Sequence, residues 1–553
     1  MSLATNNGVR AAVALALAAL LLLWSWWRDA QPVPIADGPA ARLQCLSYAP
    51  SGGRYQPLEP VTREEIRRDL ALLAARTGCV RTYTVSDGFD QVPAVARELG
   101  MQVILGAWIG REAEHNEEEV ALAIDVANRH RDTIRAIVVG NEVMLRHELP
   151  PAQLAALIRR VGEATGLPVT YADVWGFWVK HRVLSEAVSF VTVHIIPYWD
   201  DDPVGIDAVI PYVDDLYAQM QRQFPGKEVL IGETGWPSAG RPRGAIEPNR
   251  VNQARYVREF AALAEERGIR YNLIEAFDQP WKRVPEGTVG GHWGLYDRDG
   301  HEKFPWTGPV AEVPWGRSII LWTLVAAALG AFAGLFAGSA RRPLRALVLG
   351  TAAALLVTIG ARQYLDLRLG NATVLDWSAT LAVAAAGWLA FTVAVRALLR
   401  PGDTRDPLPT ALTLFLLLAC AYVCLGLVFA GRHRDFPVWL FLPAALGLAI
   451  TALANPAARA LAVLRTRGTE QLLLAALLAV SGLLIPLQEG FANGRSIGWG
   501  AVSLLMASAL LLPLALQARQ HERTAQHADP RPGESVEHHA DRADGHGQDG
   551  GHR

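Results

Sequence analysis

Two glutamates stand where chemistry is to be expected. Each closes a short apolar run: Ala136-Ile-Val-Val-Gly-Asn-Glu142, and Glu228-Val-Leu-Ile-Gly-Glu233 followed by Thr234-Gly-Trp-Pro-Ser238. A β-rich run that ends in a carboxylate reads as a buried strand delivering an acid to a rim. Two such acids, 91 residues apart in sequence and facing one cleft, are the minimal equipment for cutting a glycosidic bond. One must be protonated and the other ionised, so their surroundings must push the two pKa values apart.

The elements that must position these acids lie between Arg42 and Gly308. Eight strand-like runs occur there: Leu43–Tyr48, Val80–Thr84, Gln102–Ala107, Ile134–Val139, Val169–Ala172, Phe190–His194, Glu228–Ile231 and Asn272–Ala276. Between them lie amphipathic segments such as Arg63–Arg76, Glu117–Arg131, Pro151–Thr165, Val204–Phe224 and Asn249–Arg267. Thr62 with Glu65 three residues on predicts a capping box. Eight β/α units in this length predict an α/β fold, a (β/α)8 TIM barrel; a doubly wound open sheet is the runner-up, and no glycine-rich dinucleotide fingerprint supports it. A barrel binds substrate at the carboxyl ends of its strands. Those ends carry Tyr48, Arg81, Tyr83, Trp108, Asn141, Glu142, Tyr171, Asp173, His194, Tyr198, Glu233, Asp278 and Trp281.

The rest of the chain is of another kind. The 553 residues are 51% hydrophobic and 19% charged, and the mean hydropathy of +0.16 points to soluble and membrane parts in one chain. Eight apolar runs are near the length of a bilayer span: Ala11–Trp27, then an all-α set of seven at Ser318–Gly338, Ala346–Ala361, Ala379–Val395, Ala411–Ala430, Val438–Ala454, Leu472–Leu487 and Ile497–Leu516. Trp24, Trp26 and Trp27 suit a retained signal anchor. Arginines divide nine (341, 342, 345, 396, 400, 405, 459, 465, 467) against five (362, 368, 432, 434, 495) between alternate loops. The positive-inside rule then puts residues 1–10 and the tail in the cytoplasm and 28–317 outside. The expected divisions are an anchor at 11–27, a linker at 28–41, the hydrolase barrel at 42–308, seven spans within 309–517, and a disordered tail at 518–553 with six histidines, His538 and His539 among them.

Cys45 and Cys79 would start neighbouring strands, usually a poor geometry for bridging, so packing is expected although an exported domain permits a disulfide. Cys420 and Cys424 read as packing within a span. No spacing resembles a metal site, no cofactor is expected, and nothing points to nucleic acid.

Several strings together resemble a known family. Val139-Gly-Asn-Glu142, Gly232-Glu-Thr-Gly-Trp-Pro-Ser238, Val80-Arg-Thr-Tyr83, Phe277-Asp-Gln-Pro-Trp-Lys282 and Trp293-Gly-Leu-Tyr296 are similar to glycoside hydrolase family 17, β-1,3-glucanases and β-1,3-glucan transglycosylases on a (β/α)8 barrel. The added spans resemble its membrane-bound bacterial branch, which acts on β-glucan of the cell envelope. The resemblance implies Glu142 as general acid/base and Glu233 as nucleophile of a retaining mechanism. It implies supporting roles for Asn141, Arg81, Tyr83, Tyr198, Trp236, Asp278, Trp281 and Lys282. Arg81 is the expected partner that keeps Glu233 ionised, Tyr198 an expected hydrogen-bond donor to the same carboxylate, and Asn141 an expected partner of the sugar 2-hydroxyl. Gln279 departs from the acid the family often has there, which puts one auxiliary contact in doubt.

A glucan cleft also needs aromatic platforms for the apolar faces of sugar rings. Trp108, Trp175, Phe177, Trp178, Tyr198, Trp199, Trp236, Trp281 and Trp293 are the candidates, and His194 is expected to be a hydrogen-bonded barrel residue. Expected partners are β-1,3-glucan or its oligosaccharides, membrane lipid and a glucan synthase. The leading reading is an inner-membrane enzyme with an extracytoplasmic catalytic domain. The alternatives are a catalytically silent glucan-binding scaffold and an export component of a glucan synthesis system.

Overall fold

The computed structural model describes residues 3–40, 42–52, 60–336, 342–400, 406–454, 456–465 and 468–528. Arg341, Arg405, Arg467, His538 and His539 lie outside the described residues.

A helix, α1 (Leu3–Asp29), precedes a closed barrel of eight parallel strands in the order 1 to 8. The strands are β1 (Leu46–Ser47), β2 (Cys79–Arg81), β3 (Gln102–Ala107), β4 (Ile134–Asn141), β5 (Val169–Val174), β6 (Val191–His194), β7 (Val229–Thr234) and β8 (Arg270–Leu273). The principal outer helices are α2 (Arg63–Leu73), α3 (Val92–Glu98), α4 (Ala113–Arg129), α5 (Pro151–Thr165), α6 (Trp175–Lys180), α7 (Val209–Gln223) and α8 (Arg250–Arg267), with the short α9 (Arg283–Glu286) after β8. The TIM barrel is thus present, and each of the eight strand-like runs supplies one strand. Thr62 and Glu65 form the expected capping box at α2.

Besides a break near the start of β3, between Val103 and Ile104, ladder register breaks at three carboxyl ends: between Val138 and Asn141 in β4, between Val193 and His194 in β6, and between Ile231 and Thr234 in β7. Such irregularities bend a strand and re-aim its last side chains. The three at the carboxyl ends fall where Asn141, His194 and Glu233 leave the wall.

Cys45 and Cys79 are disulfide-bonded, which corrects the expectation of simple packing. Leu46 is the register partner of Val80, so the residues before them lie opposite each other with Cα atoms 4.5 Å apart, within bridging range. Parallel neighbours in register satisfy what strand starts do not in general. The pair clusters with Ile104, Val138 and Ala172.

After the barrel come α10 (Gly316–Phe336), α11 (Arg342–Gly370), α12 (Val374–Leu399), α13 (Thr410–Ala430), α14 (Val438–Ala454), α15 (Pro456–Arg465), α16 (Gly468–Glu489) and α17 (Gly494–Ala528). Among the described residues, seven helices, α1 included, are long and apolar enough to cross a membrane; α14 joins them only as a pair with α15, bent by 109°. The helical part fits a membrane domain. A Cβ on Gly330 would meet Leu349 O at 2.5 Å and one on Gly334 would meet Ala346 Cα at 2.6 Å. This four-residue spacing of glycines lets α10 and α11 approach closely. α17 runs to Ala528, so residues 518–528 are helical, not the start of a disordered tail.

α1 belongs to the same bundle. Trp26 is fully buried, its Nε1 donates to Thr358 O at 3.2 Å, and Arg362 pairs with Asp29 at 2.5 Å. The chain leaves and re-enters the bundle at one place, where Val33 and Val310 pair in antiparallel fashion.

The helical part touches the barrel at the loops after β6, β7 and β8. Arg241, 5% exposed, donates to Arg434 O, pairs with Glu489 and stacks on Phe436. Asn493 Nδ2 donates to Pro242 O at 3.1 Å, and Arg283 Nη1 to Leu369 O at 2.8 Å. The bundle therefore abuts the end of the barrel at which the strands deliver their polar residues.

Candidate active site

Glu142 follows β4 directly and Glu233 lies in β7. Glu142 has φ +55°, and Gly140 before it has φ +85°. A left-handed glutamate is uncommon and costs conformational energy, which the surrounding contacts must offset. The turn is held in place. Glu142 N donates to Ala172 O at 2.8 Å, Met144 N to the Tyr171 hydroxyl at 2.9 Å, and Leu145 N to Asp173 Oδ2 at 3.3 Å. Burial raises the Asp173 pKa.

The two glutamates meet across His194. Its Nδ1 is 3.0 Å from Glu142 Oε1 and its Nε2 3.6 Å from Glu233 Oε1. One oxygen of each carboxylate and a nitrogen of His194 all lie within 4.8 Å of one another. His194 is 1% exposed and its Nε2 makes no hydrogen bond. Burial pushes the Glu142 pKa up, but the hydrogen bond from His194 and the positive charges of His194, Arg146 and Arg81 outweigh it, and the net direction is downward.

Glu233 is gripped from β2. Tyr83 Oη donates to Glu233 Oε1 at 2.8 Å and Arg81 Nη1 reaches the same oxygen at 3.4 Å. Burial, then the field of Glu233, raises the Tyr83 pKa well above its usual value, so the phenol keeps its proton. Behind it, Asn272 Nδ2 donates to Ser47 Oγ at 2.6 Å, and Ser47 Oγ meets Tyr83 Oη at 2.8 Å. Strands β8, β1 and β2 thus fix one oxygen of a carboxylate on β7. Its other oxygen, Oε2, makes no protein hydrogen bond among the described residues. Arg81 Nη2 also donates to Asn141 Oδ1 at 2.6 Å, which leaves the Asn141 amide NH2 to point elsewhere.

The remaining expected residues divide. Tyr198 does not touch Glu233: it is fully buried and its hydroxyl donates to Arg241 O at 2.9 Å, so Tyr83 makes the bond expected of it. Trp236 is 1% exposed, with Nε1 donating to Glu247 O, and is packing. Asp278 is buried and committed to Lys303 at 2.8 Å and to Gly294 N at 3.0 Å; burial raises its pKa, but Lys303 and His292 bring it below the usual value. Trp178 and Trp293 are core residues as well. Trp108, Trp175, Phe177, Trp199 and Trp281 are half-buried and keep surface for a ligand.

Lys282 pairs with Glu275 at 2.7 Å. Glu275 was not among the expected residues, because it sits inside an apolar run with nothing to mark it. Burial raises its pKa to about 7 in spite of Lys282. Lys282 lies within the fields of Glu275, Glu286 and Glu233; burial lowers its pKa, and these anions raise it further. Gln279 explains itself: its Nε2 faces Pro50 O at 3.1 Å and Ala49 O and Phe277 O at 3.4 Å, while Oε1 accepts from Trp281 Nε1 at 3.1 Å. Three carbonyls suit an amide and would repel a carboxylate.

Glu142, His194 and Glu233 are also the one His and carboxylate cluster among the described residues close enough to hold a cation. Glycoside cleavage by two carboxylates requires none.

The barrel part of the chain is similar to known proteins. The BtgE/BtgC glycoside hydrolase domain matches residues 45–294. A glucan 1,3-beta-glucosidase of Schizosaccharomyces pombe is 30% identical over 234 residues, 39% of this chain and 72% of that protein. Glucan 1,3-beta-glucosidase BGL2 of Candida albicans is 27% identical over 254 residues, 42% and 82% respectively. The crystal structure of a glycoside hydrolase family 17 beta-1,3-glucanosyltransferase from Rhizomucor miehei is 27% identical, covering 49% of this chain and 98% of that one, with a TM-score of 0.43. Through its barrel, this chain belongs to the family 17-like glycoside hydrolases, the β-1,3-glucanase family.

Proposed function

We propose that this chain is a retaining glycosidase that acts on β-1,3-glucan from a membrane-anchored position. The observation that carries the mechanism is the approach of Glu142 and Glu233 to within 4.8 Å. Retaining enzymes hold their carboxyls about 5–5.5 Å apart, whereas inverting enzymes keep them about 6.5–9.5 Å apart to admit a water.

Glu233 Oε2 attacks the anomeric carbon while Oε1 stays bound by Tyr83 and Arg81. The glycosidic C–O bond breaks as Glu142, protonated for this step, gives its proton to the leaving oxygen. A glycosyl ester on Glu233 results. Glu142 then takes a proton from an incoming hydroxyl, whose oxygen attacks the same carbon and frees Glu233. Water as acceptor gives hydrolysis, and a glucan hydroxyl gives transfer. Asn141, with its NH2 left over by Arg81, is placed to bind the 2-hydroxyl, a bond that strengthens in the transition state. Lys282 and Trp281 support the sugar after β8.

The names of the relatives support a β-1,3-glucan substrate. The packed α1, the arginine asymmetry and the disulfide support a retained anchor, a barrel outside the cytoplasm and seven spans after it.

The test is incubation of the full chain, in detergent, with linear β-1,3-gluco-oligosaccharides, following product sizes by mass spectrometry. Shorter products alone mean hydrolysis, and products longer than the donor mean transfer. Glu233→Gln should lower kcat at least about a thousandfold while folding and glucan binding persist. No turnover by folded wild-type protein would sink the enzymatic reading in favour of a glucan-binding scaffold.

A further inference from the structure

The loop between α13 and α14 comes from the helical part, yet it ends beside the cleft. His433 Nδ1 donates to Glu286 O at 3.2 Å, and a Cβ on Gly287 would lie 2.3 Å from His433 O. Glu286 closes α9, and its half-buried carboxyl feels both site acids: burial raises its pKa, and the charges of Glu142 and Glu233 add to the rise. The loop after β8 therefore joins the edge of the cleft to the helical part.

Trp199, five residues beyond His194, closes the same corner. It packs edge-on against buried Tyr198 at 4.7 Å and keeps part of its surface open. The His433 ring lies 5.7 Å from it, and the Arg432 guanidinium 5.9 Å from its centroid. Arg432 and His433 are exposed. The loop itself is pinned: Arg434 O accepts from Arg241, Phe436 lies under the same guanidinium, and Asp435 accepts from the Thr288 hydroxyl. A half-buried tryptophan flanked by the Arg432 guanidinium and the second imidazole nitrogen of His433 has the composition that holds a sugar, apolar on its C–H face and hydroxylated at its edge.

We propose that Arg432 and His433 of the helical part join Trp199 in a glucan-binding subsite at the edge of the cleft, so that longer chains are read by both parts of the molecule. This rests on the β-1,3-glucan reading given above. It assigns the loops of the helical part a share in substrate choice, beyond that of a tether.

The test compares full-length wild type, Arg432→Ala, His433→Ala and Arg432→Lys in detergent, on short and long linear β-1,3-gluco-oligosaccharides. For long chains, KM should rise about three- to fivefold in each alanine variant, as loss of about one hydrogen bond to the sugar allows, while kcat moves little. The loss should shrink as the substrate shortens, and Arg432→Lys should recover part of it. An equal change at all lengths, or none, would overturn the subsite and leave a structural contact between the two parts. A wild-type chain that neither binds nor turns over any β-1,3-glucan would overturn the underlying reading, and this one with it.

Discussion

At the scale of single residues, Tyr83 makes the more informative contact to Glu233. Its hydrogen bond is shorter than that of Arg81, and it ends a relay from Asn272 through Ser47. A hydrogen bond to a charged group is worth about 1.5–3 kcal/mol, so Tyr83→Phe should lower kcat about tenfold to a hundredfold with KM nearly unchanged. A change confined to KM would mean that Tyr83 binds sugar and does not hold the carboxylate. Glu275 makes a prediction of another kind. Its pKa rises from an ordinary 4.5 to about 7 in the folded chain. Between those values the folded chain keeps a proton that the unfolded chain has lost. Stability therefore falls as pH rises through that window and levels off above it. The full loss is on the order of 3 kcal/mol, an upper figure for one buried group. Thermal unfolding between acidic and mildly alkaline pH should show a larger drop for wild type than for Glu275→Gln. Equal drops would mean that burial does not hold this proton. Glu142 and Glu233 stand out in the sequence because each closes an apolar run, with Asn141 beside the first, whereas Arg81 lies inside its run and is marked by the family resemblance; the structure brings the four together. Tyr198 misled because residues just past a strand end face the core as readily as the cleft. The His194 bridge and Glu275 were hidden because only the ring of strands says which side chains meet.

At the scale of elements, what could be read followed periodicity. Each of the eight strands overlaps a run read as a strand, because parallel strands buried on both faces are continuous apolar stretches bounded by turns. The ends were less legible: β1 is two residues long where Leu43–Tyr48 was expected, since pairing with β2 and β8 limits it and the apolar pattern does not. The Cys45–Cys79 bond was hidden for a related reason. It depends on the register of two strands, a quantity that spacing within either strand does not contain. Local chemistry fared better. Thr62 Oγ1 accepts from Glu65 N, and Glu65 Oε2 accepts from Thr62 N at 3.0 Å, as the four-residue motif requires. Thr62→Ala should cost about 1 kcal/mol of stability with kcat/KM unchanged, measured by denaturant unfolding beside an activity assay. A neutral substitution would mean that α2 is fixed by its buried face alone, through Ile66, Leu70 and Leu73.

At the scale of the whole molecule, the point of interest is that the bundle grips the barrel at its working end. Composition separates an apolar part from a charged one, but it carries no information on which surfaces meet. The decisive group is Arg241, which the sequence does not distinguish from dozens of other cations. It is 5% exposed, joined to Glu489 and Arg434 O, and lies over Phe436 at 4.5 Å; on its own carbonyl it also receives the Tyr198 hydroxyl. Burial lowers its pKa, and Glu489 partly offsets this. Removing one partner of a buried pair leaves the other charge without compensation, which is why single deletions overstate the worth of the pair. A double-mutant cycle separates the two effects. Arg241→Ala and Glu489→Ala should each destabilise the full chain in detergent, and the double variant should lose less than the sum, with a coupling of about 1–3 kcal/mol. If barrel and bundle were instead independent bodies on a tether, the two changes would add, and the coupling would fall within the few tenths of a kcal/mol seen for distant sites. A coupled pair would mean that the bundle fixes how the cleft is presented, because Arg241 is bound at once to the bundle and to the loop that carries Trp199.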